Sequence, residues 1–224
     1  MEQIKEWVVP AVQNGPLEIS LVGDFDEAEV TALAEKYFSV LGERKDKRLE
    51  EATVTFPQGE RLTLAVPSSI DKGMLVVAWK TDDFWDIHRT RGLHLLAEIF
   101  SDRLRRVIRE RLGATYSPQV FNVSSRTYKG YGVLQTRMVV APDQIEMLRK
   151  EVLAIAGELF LGEISGEELG RAKAPMLTAL KDMVRTNGYW LNSVLSLSAR
   201  YPQQLQWPTT ILSGFGSFTV EEIK

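Results

Sequence analysis

At 224 residues, 44% hydrophobic and 25% charged, the chain can form one large packed domain or one and a half small ones, and its net charge of −3 argues against a dedicated binder of nucleic acid or acidic membranes. With no cysteine it has no disulfide, no thiolate metal site and no cysteine nucleophile, although this does not identify a compartment. No apolar run approaches the roughly 18–20 residues that span a bilayer, and Met1–Val12 mixes charged with apolar residues without a leader cleavage pattern.

The first predicted element is a short helix, Glu2–Val9, closed by Pro10 and the Asn14-Gly15-Pro16 turn. Leu17–Val22 reads as a strand ended by Gly23-Asp24. Asp26 caps a helix through Phe38 whose apolar face carries Val30, Leu33, Ala34, Tyr37 and Phe38. Gly42–Glu51 is charged and poor in apolar residues, the composition of a linker. Two strands follow, Arg61–Val66 and Met74–Lys80. A long helix then runs from about Phe84 to Glu110, with Leu93, Leu96, Ala97, Phe100, Leu104 and Val107 near helical period and Gly113 as its breaker. Tyr116–Val123 and Gly132–Val140 alternate as an antiparallel pair joined through Thr127–Gly130. Pro142-Asp143 opens a helix to Phe160, Ser165-Gly166-Glu167-Glu168 opens another to about Val184, and Tyr189–Ala199 forms a third helical run.

The last residues, Thr219-Val220-Glu221-Glu222-Ile223-Lys224, echo Met1-Glu2-Gln3-Ile4-Lys5, as though equivalent helix starts of a repeat stood at both ends. On that reading residues 1–44 are the helix-strand-helix tail of a preceding repeat, 45–59 a charged linker, and 60–224 the main domain, truncated before its closing strand. Leu17–Val22 is then expected to fill the vacant sheet edge, from the same molecule or from a neighbour, since an open edge invites association. Finding that segment unpaired and exposed ends this expectation.

Chemistry concentrates in Ile108-Arg109-Glu110-Arg111-Leu112-Gly113-Ala114-Thr115-Tyr116-Ser117. A helix-to-strand corner containing Gly113 aims Arg109 and Tyr116 towards one end of the sheet. A permanently charged planar donor beside a phenol suits binding a peptide carbonyl and stabilising an oxyanion. The same two residues also have a structural reading, arginine favoured in a last helical turn and tyrosine packing at a strand start.

Leu95-Leu96-Ala97-Glu98-Ile99-Phe100-Ser101-Asp102-Arg103-Leu104, followed by Ile108–Ser117, resembles the second half of zinc peptidases of the pitrilysin, insulinase and mitochondrial processing peptidase superfamily. Val22-Gly23-Asp24-Phe25-Asp26 with the helix to Tyr37-Phe38, and Asn187-Gly188-Tyr189-Trp190, are similar to further family segments, so the resemblance covers most of the chain. The resemblance implies an α+β two-layer sandwich, an antiparallel-rich mixed sheet with helices mainly on one face. It implies homologous units paired as a clamshell, of which one carries H-x-x-E-H and zinc. The partner unit contributes an arginine and a tyrosine, here Arg109 and Tyr116, that bind substrate backbone and assist hydrolysis. The implied partners are a zinc-bearing companion domain or subunit and a peptide substrate, with no nucleic acid, no membrane span, and homodimerisation or strand exchange open to the chain alone. A bacterial periplasmic setting follows only by analogy. The alternative within the superfamily is a catalytically silent scaffold or binding module.

The departure from the zinc-bearing pattern is plain: no H-x-x-E-H occurs, so this chain is expected to hold no cofactor and to cleave nothing alone, with zinc in the companion. His88 and His94 are six residues apart and do not share a helical face, while His94 and Glu98 do but make only two ligands. His94, among Leu93, Leu95 and Leu96, reads as a partly buried histidine. The basic run Arg103, Arg105, Arg106, Arg109 and Arg111 is interrupted by Asp102 and Glu110. Glu163, Glu167 and Glu168 read as helix-end charges, Ser68-Ser69 and Ser124-Ser125 lack a histidine partner by spacing, and Trp79, Trp85, Trp190 and Trp207 read as core or interface anchors. Phe84 and Trp85 are the best placed for an exposed contact.

Overall fold

In the computed structural model, residues 2–42, 44, 52–112 and 118–224 are described, with the backbone alone for 109–112. The elements in chain order are α1 (Glu2–Asn14), α2 (Glu27–Phe38), β1 (Gly73–Thr81), α3 (Ile87–Leu112), β2 (Gln119–Ser124), β3 (Gly132–Val140), α4 (Ile145–Phe160) and α5 (Gly166–Met183). After these come α6 (Asn187–Tyr189), which runs into a π-helical stretch at Trp190–Leu195, then α7 (Trp207–Ser217) and α8 (Val220–Ile223). They fall into two units, Met1–Glu50 with Lys181–Thr209, and Glu51–Leu180 with Thr210–Lys224.

The larger unit is built on a three-stranded antiparallel sheet of order β1-β3-β2. Alternation along β3 turns Leu134, Thr136, Met138 and Val140 to one face, where β1 adds Leu75 and β2 adds Val120. Helices pack on that face: α3 through Leu95, Phe100, Leu104 and Ile108, and α4 through Leu148, Val152, Ile155 and Leu159. Each fully buried Leu or Phe contributes about 1.5–3 kcal/mol relative to exposure, so this layer holds the unit together. The architecture is the expected α+β arrangement with helices on one face, and the sheet is wholly antiparallel among the described residues.

Local signals explain the helix starts. The Asp86 carboxylate accepts from the Arg89 amide at 3.0 Å at the start of α3. At α5, Ser165 and Glu168 exchange bonds as a capping box. Thr219 and Glu222 do the same at α8, and Ile223 is buried.

In the smaller unit the Asp26 carboxylate caps α2 through the Glu29 amide at 2.9 Å, as the sequence predicts. Gln204, fully buried, donates from Nε2 to the Val194 and Ser196 carbonyls at 2.8 and 2.6 Å, closing the turn after the π-helical stretch.

Three expectations are corrected. α1 does not stop at Val9 but continues through Pro10 to Asn14. Asn14 Nδ2 donates to the Pro10 carbonyl, and Arg44 Nη1 to the carbonyls of Val12 and Gly15, so distant donors satisfy the helix end. Leu17–Val22 forms no strand among the described residues, and Leu17, Ile19 and Leu21 are about half exposed, so pairing of this segment within the chain is overturned. Arg61–Val66 likewise forms no ladder, with Leu62, Leu64 and Val66 79–80% exposed. Both segments alternate, but alternation supplies only an appetite for a neighbour. No neighbouring strand among the described residues meets it.

Candidate functional site

The corner that carries Arg109 is framed by α3 and β2. α3 returns along the sheet after β1, and β2 starts at Gln119, opposite Arg137 of β3. The two elements are joined where the Val120 amide donates to Ser101 Oγ at 3.2 Å, with Ser101 buried. Ile108 and Leu104 anchor the last turns of α3 in the core. Arg109 lies in those turns, described by its backbone alone, and Tyr116 lies outside the described residues together with Gly113, Ala114, Thr115 and Ser117.

Ser101 and Arg103, prominent in the sequence, both hold structure. Arg103 donates from Nε to Glu168 Oε1 at 2.7 Å, also meets Glu158, and binds the Glu163 carbonyl. Arg106 reaches Glu168 and Asp102, and Asp102 also faces Arg171. Arg103 and Arg106 of the basic run are therefore spent on carboxylates of their own fold. The Glu168 carboxyl is held down to about 2 chiefly by the Arg103 hydrogen bond, then by bonds from Ser165, against the opposing effect of burial.

His94 is half-buried, and desolvation lowers its pKa. His88 stacks on Phe218, ring centroids 4.5 Å apart, and sits 3.6 Å from a Glu222 oxygen. Among the described residues no group of three or more His, Asp or Glu side chains is arranged to hold a metal ion, so this donor set does not fit zinc. Phe84 and Trp85 are half-buried rather than prominent, and the Arg126 guanidinium covers Phe84 at 4.2 Å.

Two surfaces were not singled out by sequence reasoning. A cleft at the far end of the sheet is lined by Lys80, Thr81, Asp82, Arg89, Leu93 and Gly130. Arg89 meets Asp82 there at 2.8 Å, and the Gly130 amide donates to Asp83 at 2.8 Å. The second is the helix-free face of the sheet, formed by the even-numbered residues of β1 and the odd-numbered residues of β2 and β3. There Arg137 reaches Gln119 at 3.5 Å and lies 5.8 Å from the Phe121 ring. The signal was present in the alternation of Gly132–Val140, which puts Gln135 and Arg137 on the same side.

Residues 2–176 match the family described as the peptidase M16 inactive domain. The chain belongs to this family. It is thus an inactive, C-terminal-type M16 domain of the pitrilysin and insulinase superfamily, in keeping with the motif order around Ser101–Arg109. An "uncharacterized zinc protease" of Rickettsia felis is 26% identical over 170 residues, covering 74% of this chain and 39% of that protein. A protease from Helicobacter pylori superposes with a TM-score of 0.68 at 20% identity, over 90% of this chain and 49% of that one. The peptidase M16 inactive domain from Pseudomonas fluorescens gives 0.67 at 18% identity, over 90% of this chain and 48% of that one. The M16 domain described here therefore spans less than half the length of each of these relatives. No helix among the described residues is long and apolar enough to cross a membrane.

Proposed function

We propose that this M16 domain is the non-zinc half of a zinc-dependent peptidase, closing a substrate chamber against a zinc-bearing companion domain. The observation that carries the reading is the family match across residues 2–176, in a sequence without H-x-x-E-H. Arg109 donates charge-assisted hydrogen bonds to substrate backbone carbonyls. The Tyr116 hydroxyl donates to the carbonyl oxygen as negative charge develops on it, where a fixed donor has its largest effect. The companion's zinc supplies the activated water.

The smaller unit supports a role in docking. No residue from 2 to 42 is buried, yet α1 carries Trp7 at 81% exposure, and Ile4, Val12, Leu33, Tyr37 and Val40 are exposed as well. Large exposed apolar surface of this kind marks an interaction site. On this proposal residues 1–44 complete the companion's fold, 45–59 link, and 60–224 form the non-zinc domain.

The test is reconstitution. A separately expressed H-x-x-E-H domain is assayed on an unstructured peptide with and without this chain. Hydrolysis that appears or rises by orders of magnitude on addition supports the proposal. Association without any gain in hydrolysis favours the catalytically silent scaffold.

A further inference from the structure

The helix-free face of the β1-β3-β2 sheet is open: Met74, Val76, Val123 and Val139 are 47–57% exposed. Its eleven positions, read from the strand register, carry two charges, Lys80 and Arg137, and no carboxylate. Neither cation forms an ion pair among the described residues, although the chain as a whole is acidic. Arg137 is instead steadied by Gln119 and by the Phe121 ring, which leaves its charge uncompensated.

The register gives the spacing. Val76 pairs with Arg137 and Lys80 with Val133, so the two cations sit four residues apart along the strand direction, about 13 Å at the rise of an extended chain. The row between them is Ala78, Gln135 and Phe121, flanked by Val76 and Val133, so it carries no charge. An extended peptide laid along the strands repeats the same distance between its residues i and i+4.

We propose that this face binds substrate polypeptide in extended form and selects acidic segments, with carboxylates at i and i+4 meeting Arg137 and Lys80 and an apolar side chain at i+2 resting on Ala78 and Phe121. The selection deepens the chamber reading above and rests on it for the word substrate, whereas binding itself is a property of this chain alone. Apolar contact with two cations fits an acidic, partly apolar peptide better than a polyanion, which needs many basic contacts.

The experiment is fluorescence anisotropy on the 224-residue chain with two fluorescein-labelled peptides of equal length. One carries Glu at i and i+4 with Leu at i+2, and the other carries Lys in place of both Glu. The Glu peptide binds about tenfold tighter or better, and the preference fades as salt rises. Arg137→Glu, with unchanged circular dichroism, abolishes the preference, while Arg137→Lys keeps part of it. Equal binding of both peptides overturns the proposal, as does an undiminished preference in Arg137→Glu. Concentration-dependent self-association in sedimentation velocity that Val139→Asp removes also overturns it, because a second copy then owns the face. Loss of this selectivity with reconstituted hydrolysis intact leaves the chamber reading standing. Selective binding without any gain in hydrolysis leaves the converse.

Discussion

Arg103 Nε donates to Glu168 Oε1 at 2.7 Å, while Oε2 of the same carboxylate accepts from the Ser165 amide at 3.0 Å. One largely buried carboxylate thus ties α3 to α5 and also caps α5. Glu168→Gln keeps the shape but removes the charge that both contacts use. It is expected to lower unfolding free energy by about 2–3 kcal/mol, since bonds to charged groups contribute about 1.5–3 kcal/mol each and are not additive. A urea titration measures this, and a loss under half a kcal/mol (roughly the spread of neutral surface changes) contradicts the role.

The same group sets an acid limit. Glu168 has a folded pKa of about 2 against an ordinary 4.5, so its stabilisation is complete above the unfolded value and is lost as pH falls from about 4.5 towards 2. His94 acts earlier. Burial lowers its pKa below 6.5, so the unfolded chain takes up a proton first and stability declines as pH drops below that value. Thermal unfolding against pH should therefore show two declines. His94→Gln should flatten the one nearer neutrality, and Glu168→Gln the one in acid.

Ser101→Ala removes the hydroxyl that receives the Val120 amide. The cost is about 1–3 kcal/mol, because a buried donor is left unpaired at the start of β2. Hydrogen exchange at Val120 should accelerate with little change in the middle of β3. Uniform acceleration across the sheet contradicts a local role.

Gly132→Ala and Gly157→Ala should move stability in opposite directions. A Cβ at Gly132 would overlap the Asp82 carbonyl and Thr81 Oγ1, so the variant loses about 1–3 kcal/mol. Gly157 lies exposed within α4 with nothing within 4 Å of a Cβ, so alanine there gains about 0.5–1 kcal/mol from helix propensity. Chemical denaturation of the two variants side by side checks both signs.

How far the sequence could be read follows from how local each determinant is. α3, α4 and α5 were legible because their caps and apolar stripes lie within a few residues of one another, as with Asp86 and Arg89 or Ser165 and Glu168. The β2–β3 pair was legible from alternation across a short connection, and the order β1-β3-β2 was not, because alternation gives a face and no neighbour. Leu17–Val22 and Arg61–Val66 show the same limit, having the pattern of strands without a partner edge. α1 overran Pro10 because its terminal carbonyls are met by Arg44, some thirty residues away. At the candidate site, Ser101 and Arg103 stood out in the sequence for their motif and turn out to be anchors. Arg137 went unnoticed because it forms no motif and matters only through its register opposite Gln119.

The central claim is that Tyr116 stabilises charge in the reaction of a companion domain. It is tested most directly by Tyr116→Phe in the reconstituted pair, with kcat and KM measured separately. The account predicts a fall in kcat of about 10²–10³-fold, as for loss of one oxyanion donor, with KM and folding unchanged. Unaltered turnover by a well-folded Tyr116→Phe protein would contradict it.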